Sequence, residues 1–506
     1  MTSSQSTVDS PQERETGSPA NGKLPTANWR SDVAALVLIA LSMLRIASTW
    51  TVFSATVDEP MHISAGLQLY TQHAYTYQPE NPPLPRLVLA LVPWLAGMDF
   101  DPNRGMEEQL LRVFYSDGRY ETNLVLARAG NLVFFVIASL ATWWWARREL
   151  GAVGGFIAML LFTFQPMIAG HAGLATHDMA TTASFVVSLL AFLRWLDEPT
   201  AKRAAIFGFA FGVAVLCKFS CIGYVPAACA AIYLVRVIRD RDLRKPWIAF
   251  PVALVTSLAT IWAGYAFTID TFIRGIEGLA DIDRAGLFSF AFGRVTTTGW
   301  WWYFPVALAL KSTIASLLLG IGAIFVKRRV AVEALAAVVA VLLVAMPSHL
   351  TLGVRYVMPL YAPLAVAGAA AVVALRWRWI GIALLAWHTG ASVLAHPDAF
   401  PYFNEAAGRE PWRLLLDSNI DWGQDMLRLR EVVREKKIDR IGHAILGWHD
   451  WNALGFPPHY QAQRDIPSQG WVAVSEHIYG LARGAPWLEG RRYERVGKSI
   501  RLYYVP

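Results

Sequence analysis

Long apolar runs separated by short polar stretches fill the first four fifths of the chain. Runs of the roughly 17–25 residues needed to cross a hydrocarbon core of about 30 Å recur along it. They lie at 33–54, 121–146, 151–170, 175–196, 204–221, 222–238, 247–268, 300–325, 331–348, 356–375 and 379–396. This pattern predicts an α-helical polytopic membrane protein with about eleven transmembrane helices. The stretch 204–238 is too long for one crossing, and Lys218 with the Gly-Pro region after it marks a break. The segment PPLPRLVLALVPWLAG (82–97) is shorter, opens on three prolines and carries Arg86. It suits a helix lying on the membrane rather than through it.

Outside these runs the pattern changes. Residues 1–30 are polar and rich in Ser, Thr, Pro and Gly, as expected of a disordered cytoplasmic tail. Residues 31–396 form the membrane unit, and 397–506 are expected to form a small extracytoplasmic α/β domain. In that tail RLLLDS, HAILGW, GWVAVSE and SIRLYYV read as strands, and DMLRLREVVREKK reads as a helix.

Composition agrees with the pattern: 55% hydrophobic and 16% charged residues, with a mean hydropathy of +0.36. The net charge of +7 does not indicate nucleic acid, because the basic residues sit in short loops between apolar runs. With 82–97 left out of the span count, Arg147, Arg148, Lys202, Arg203, Arg236, Arg239, Arg241, Arg244, Lys245, Lys327, Arg328, Arg329, Arg376 and Arg378 share one side. Beyond residue 121 the other side has Arg274, Arg284, Arg294 and Arg355. The positive-inside rule then puts the N-terminus in the cytoplasm and the C-terminal domain outside a plasma (inner) membrane. The outer side carries the loops 55–120, 170–182 and 269–299 and the tail. The cytoplasmic loops hold no nucleotide-binding signature, so chemistry is expected on the outer face. Cys217, Cys221 and Cys229 all fall in apolar runs and read as small buried hydrophobes.

Candidate chemistry begins with Asp58 and Glu59, adjacent acids just after the first apolar run. Asp58 suits the N-cap of a helix running from Pro60. It equally suits a general base in a water-poor cleft, accepting a proton from an attacking hydroxyl. Asp178, beside His171 and His177 in a short outer loop, has the same two readings. The ligand types of these residues permit zinc, but their spacing matches no zinc signature. A divalent cation held loosely between carboxylates and a phosphate stays open. Lys218, Lys311 and Arg355 are cations in or beside apolar runs, and together they offer an anionic lipid headgroup a place to bind. Trp300, Trp301, Trp302 and Tyr303 read as an interfacial belt.

VDEPMHISAGLQLY followed by NPPLPRLVLAL resembles the first external loop of GT-C membrane glycosyltransferases of family 39. That family includes the protein O-mannosyltransferases and the lipid A aminoarabinose transferase. GHAGLATHDMATT, CKFS, GWWWYFPVALALKS and RYVMPLYAP extend the likeness. YFNEAAG and LLLDSNIDWGQDMLRL resemble a bacterial subgroup described as phospholipid carrier-dependent glycosyltransferases, and in all the resemblance spans roughly residues 33–430. It implies a polyprenyl-phosphate-linked sugar donor and direct, inverting transfer to a protein, lipid or glycan hydroxyl. By it Asp58 is the catalytic base, Glu59 its companion, and Asp178 the second acid that positions the acceptor or an ion. Lys218, Arg355 and the deeper Lys311 are implied ligands of the lipid phosphate, with His62 and His177 lining the same cleft. It assigns no chemistry to the Asp417–Asp425 motif. The rival readings are a lipid or solute transporter and a non-catalytic scaffold for envelope polysaccharide assembly.

Overall fold

The computed structural model describes residues 29–241, 246–481 and 485–506. The expected tail before Trp29, and Arg244 and Lys245 of the basic loops, lie outside the described residues. The structure is mostly helical, at 64%. Among the described residues, four helices are long and apolar enough to cross a membrane, at Tyr120–Thr163, Asp178–Asp197, Cys221–Arg239 and Val354–Ala374. The expected span 300–325 is instead two helices, Tyr303–Lys311 and Ile314–Ile324, bent by 119°. Counted as one broken span they make a fifth.

Local chemistry explains how the apolar runs divide. Gly151 adopts φ 76° inside Asn131–Thr163, a left-handed conformation that glycine enters without a Cβ clash. It divides that helix where the sequence predicts a boundary. Between Ala201–Cys217 and Cys221–Asp240 the chain leaves the helix at Lys218, whose backbone is extended. The other expected spans form shorter helices, such as Phe250–Gly264 with 15 residues and Arg329–Ala345 and Arg378–Leu394 with 17 each.

The core packs Asn131–Thr163, Asp178–Asp197 and Tyr361–Ala374 together through Phe135, Phe162, Phe185 and Val366. Outward faces stay apolar too: Val37, Leu41 and Leu44 on the first helix, and Val255, Leu258 and Trp262 on Phe250–Gly264 are exposed. Helices apolar on both faces suit a lipid surround and not water.

Segment 82–97 forms Pro83–Leu95, whose 13 residues span only about 20 Å. Its Leu91, Val92, Trp94 and Leu95 are exposed while Arg86 is fully buried. Gly66 of the preceding helix, Asp58–Gln72, lets the two backbones meet, since a Cβ there would lie 2.3 Å from the Arg86 carbonyl oxygen.

A small hairpin pairs β1 (Ser289–Ala291) with β2 (Arg294–Thr296). The C-terminal part holds a five-stranded sheet of β3 (Ile441–Ala444), β4 (His459–Gln461), β5 (Gly470–Ser475), β6 (Tyr493–Val496) and β7 (Ile500–Val505), in the order β4-β3-β5-β7-β6. β4, β3 and β5 run parallel, and β7 pairs antiparallel with both β5 and β6. The expected helix forms at Met426–Glu435. RLLLDS is not a strand; the short 3-10 turns Pro411–Arg413 and Asp417–Asn419 bracket its leucines, and it meets the hairpin in a single antiparallel bridge, Leu415 to Ala291.

Candidate active site

Asp58 opens the helix Asp58–Gln72, but no side chain caps that helix end. Its carboxylate is directed elsewhere, accepting from Arg355 Nη1 at 2.8 Å. Asp178 likewise opens Asp178–Asp197 without capping it. Its Oδ1 accepts from Lys218 Nζ at 2.8 Å, and its Oδ2 lies 3.8 Å from Arg355 Nη1. The capping reading therefore fails for both acids. Both face one cavity of about 780 Å³ or border it through their cations.

Two local breaks deliver the cations. Lys218 occupies the break between two helices, so its side chain reaches sideways to Asp178 and over the Tyr356 ring, 4.8 Å from its centroid. Arg355 sits in the 3-10 turn Val354–Leu360 ahead of a long helix. Its guanidinium stacks on Trp422 at 4.3 Å, and its buried Nε–H has no acceptor among the described residues. Burial pushes the Asp58 carboxyl above the usual range; Arg355 opposes this, while Asp178 and Asp417 add to it.

His62 and His177 form a relay. Arg86 Nε, which can only donate, hydrogen-bonds through its N–H to His62 Nδ1 at 3.2 Å. His62 Nε2 then donates to His177 Nδ1 at 3.1 Å, leaving His177 Nε2–H 3.7 Å from Asp178 Oδ1. Burial pushes both imidazoles well below their ordinary pKa, so both are neutral. His171 is fully buried against Phe400 and Trp422, and burial pushes it down to about 3.

Two predicted site residues lie elsewhere. Glu59 is fully buried and turned from the cavity, held by Arg128 Nε and Nη2, each at 2.8 Å. The amides of Thr56 and Ala175 complete its shell, each at 2.8 Å. One helical step rotates Glu59 about 100° from Asp58, which is why adjacent acids part company. Lys311 does not reach the cavity either. Its ammonium is fully buried at the bend of the broken span, donating to the carbonyls of Phe400 and Asn419 beside the Phe403 ring. It fastens that bend to the C-terminal segment.

The structure adds residues that the sequence left without a role. Backbone bonds tie Ser54 and Val57 to Gln424 and Trp422 at 2.9 and 3.0 Å, so the Asp417–Asp425 motif roofs the cavity. Its three acids divide. Asp421 accepts from the His477 amide at 2.7 Å and Asp425 from Ser499 Oγ at 2.8 Å, both structural. Asp417, at φ 57°, faces the cavity with His477, whose Nδ1 lies 3.7 Å from Asp417 Oδ2. Sequence alone carried no signal for these cavity residues, because long-range backbone bonds bring them in.

As to metal, among the described residues no group of three or more His, Cys, Asp and Glu side chains is arranged to hold one. Asp58 and Asp178 already meet fixed cations, so a divalent ion between them would face Arg355 and Lys218.

Residues 121–263 match the family described as dolichyl-phosphate-mannose-protein mannosyltransferase. No curated protein sequence matches the chain significantly. The crystal structure of ArnT from Cupriavidus metallidurans bound to undecaprenyl phosphate superposes with a TM-score of 0.52 at 13% identity, covering 93% of this chain and 98% of that one. The apo ArnT structure from the same organism gives a TM-score of 0.54 at 12% identity, covering 94% and 98%. The chain therefore has the GT-C fold of the membrane glycosyltransferases, and within it the segment 121–263 matches the mannosyltransferase family named above.

Proposed function

We propose that the chain is an inverting glycosyltransferase that moves a sugar from a polyprenyl phosphate to an acceptor hydroxyl on the outer membrane face. One observation carries the reading: Asp58 and Asp178 flank a single guanidinium, Arg355, in a cavity whose other walls are largely apolar. Ile222, Val344, Leu350 and Leu352 in those walls suit a polyprenyl chain. Lys218 and Arg355 suit its phosphate, and the unused Arg355 Nε–H is a donor ready for a phosphate oxygen.

In this mechanism the acceptor hydroxyl attacks the anomeric carbon from the face opposite the phosphate. A new C–O bond forms as its proton passes to Asp58, and the old C–O bond breaks with its electron pair leaving on the lipid phosphate. Lys218 and Arg355 stabilise the negative charge that develops there. Asp178 holds both cations in place, and the neutral His62–His177 pair holds Asp178. Glu59 acts as a positioning residue, fixing the first turn of the helix that presents Asp58. The full topology belongs to the same proposal: eleven crossings, a cytoplasmic N-terminus and an outer C-terminal domain. The basic loops support it, and the shorter helices would cross in broken pairs.

The test is incubation of purified protein with a panel of undecaprenyl-phosphate sugars, scoring free undecaprenyl phosphate. Release in the presence of an acceptor supports transfer. Passage of intact lipid-linked sugar between vesicle leaflets without release would instead indicate a transporter.

A further inference from the structure

A second cavity lies apart from the first, between the C-terminal sheet and the helix Met106–Arg112. Its volume of about 460 Å³ falls within the roughly 300–1,000 Å³ usual for small-molecule sites. Three half-buried rings, Trp448, Tyr479 and Trp487, line it together with Glu107, Gln461 and Gln463. The Trp487 Nε1–H is already taken by the carbonyls of Gln463 and Arg464 at 3.3 and 3.0 Å, which fixes the ring in place. The Trp448 Nε1–H is buried with no acceptor among the described residues.

Rings interleaved with amide and carboxylate side chains suit one ligand chemistry best. A pyranose presents a face of C–H bonds to the negative face of an aromatic ring, and a rim of hydroxyls to neutral donors and acceptors. His443 at this cleft is pushed down to about 4 by burial, so it meets such hydroxyls as a neutral imidazole.

The two cavities share a wall. Leu446 lines the first and its neighbours Ile445 and Gly447 the second; His477 lines the first and Ile478 and Tyr479 the second. The His449 ring packs on Gly423, beside the Trp422 that lines the first cavity; a Cβ on Gly423 would lie 3.2 Å from His449 Nε2.

We infer that this cleft is a saccharide-binding site, holding a glycan acceptor beside the cavity in which its hydroxyl is glycosylated. The acceptor role rests on the transferase reading; the binding itself does not.

The test is isothermal titration of the full-length protein, without donor, with linear tetrasaccharides of glucose, mannose and N-acetylglucosamine. At least one binds, and Trp487→Ala weakens it about tenfold, as expected for the loss of one stacking ring. Trp448→Phe keeps one aromatic ring, trims the indole together with its orphan N–H, and weakens binding less; it serves as the second variant if Trp487→Ala does not fold. No binding by any of the three, or binding unchanged in both variants, overturns the inference. Binding without release of undecaprenyl phosphate would fail the transferase reading alone, and release without saccharide binding would fail this one alone.

Discussion

Arg355 donates to Asp58 at 2.8 Å and lies 3.8 Å from Asp178, so one guanidinium stands between two carboxylates that are far apart in sequence. Stacking on Trp422 keeps it from turning to solvent. Two acids and two cations thus hold one another in register before any substrate arrives, which is the preorganisation that transfer of a charged leaving group needs.

Lys218→Met should raise the donor KM, at some cost to stability because the fully buried Asp178 then keeps only Arg355. The lysine makes a charge-assisted bond to Asp178 at the cavity edge and is 13% exposed. Loss of a bond of this kind costs about 1.5–3 kcal/mol, so KM for the polyprenyl-phosphate sugar should rise roughly ten- to hundredfold. An unchanged donor KM would remove Lys218 from the phosphate site.

Lys311→Met should do the reverse. Its ammonium serves two buried carbonyls, Phe400 and Asn419, and leaving such groups unpaired costs about 1–3 kcal/mol each. The melting temperature should fall while donor KM for the folded fraction stays the same. A raised KM at unchanged stability would return Lys311 to the site.

Glu59→Gln should destabilise the fold and not reset the chemistry. It leaves Arg128, fully buried, facing a neutral amide; breaking one side of a buried ion pair typically costs about 3–5 kcal/mol. Denaturation in detergent reads this directly. A stable Glu59→Gln protein with an altered pH profile would instead make Glu59 part of the proton path.

The pH profile tests Asp58 as a base. Burial raises its pKa, so the acid limb of the rate profile should lie above the ordinary aspartate value of about 3.9. The rate should fall as pH falls through that limb, because the protonated carboxyl cannot accept. Arg355→Gln removes the charge that holds the pKa down, so the limb should move to higher pH. A limb at or below about 3.9 would contradict the assignment.

Much of the site was legible from residue type and depth alone. Asp58, Asp178, His62, His177, Lys218 and Arg355 do converge, because charged groups next to apolar runs are retained only where they pair. Glu59 and Lys311 share that signature yet lie away from the cavity, since sequence does not reveal the direction of a side chain around a helix. Asp417, Trp422 and His477 were invisible as site residues because long-range backbone bonds, Ser54 to Gln424 and Val57 to Trp422, bring them in. The 119° bend after Lys311 was likewise hidden, for an apolar run reads alike straight or broken. RLLLDS misread as a strand for a related reason: burial on both sides mimics the sheet pattern.

The most direct measurement is the turnover of Asp58→Asn against wild type, as undecaprenyl phosphate released per folded molecule. Because the folded state raises the Asp58 pKa, it binds that proton more tightly than the unfolded chain, and ionised Asp58 lowers stability as pH rises. The neutral amide should therefore leave the melting temperature at neutral pH unchanged or higher. A base at Asp58 predicts a drop in turnover of about 10²-fold or more in a protein that is fully folded. Wild-type turnover in that folded protein would contradict the mechanism.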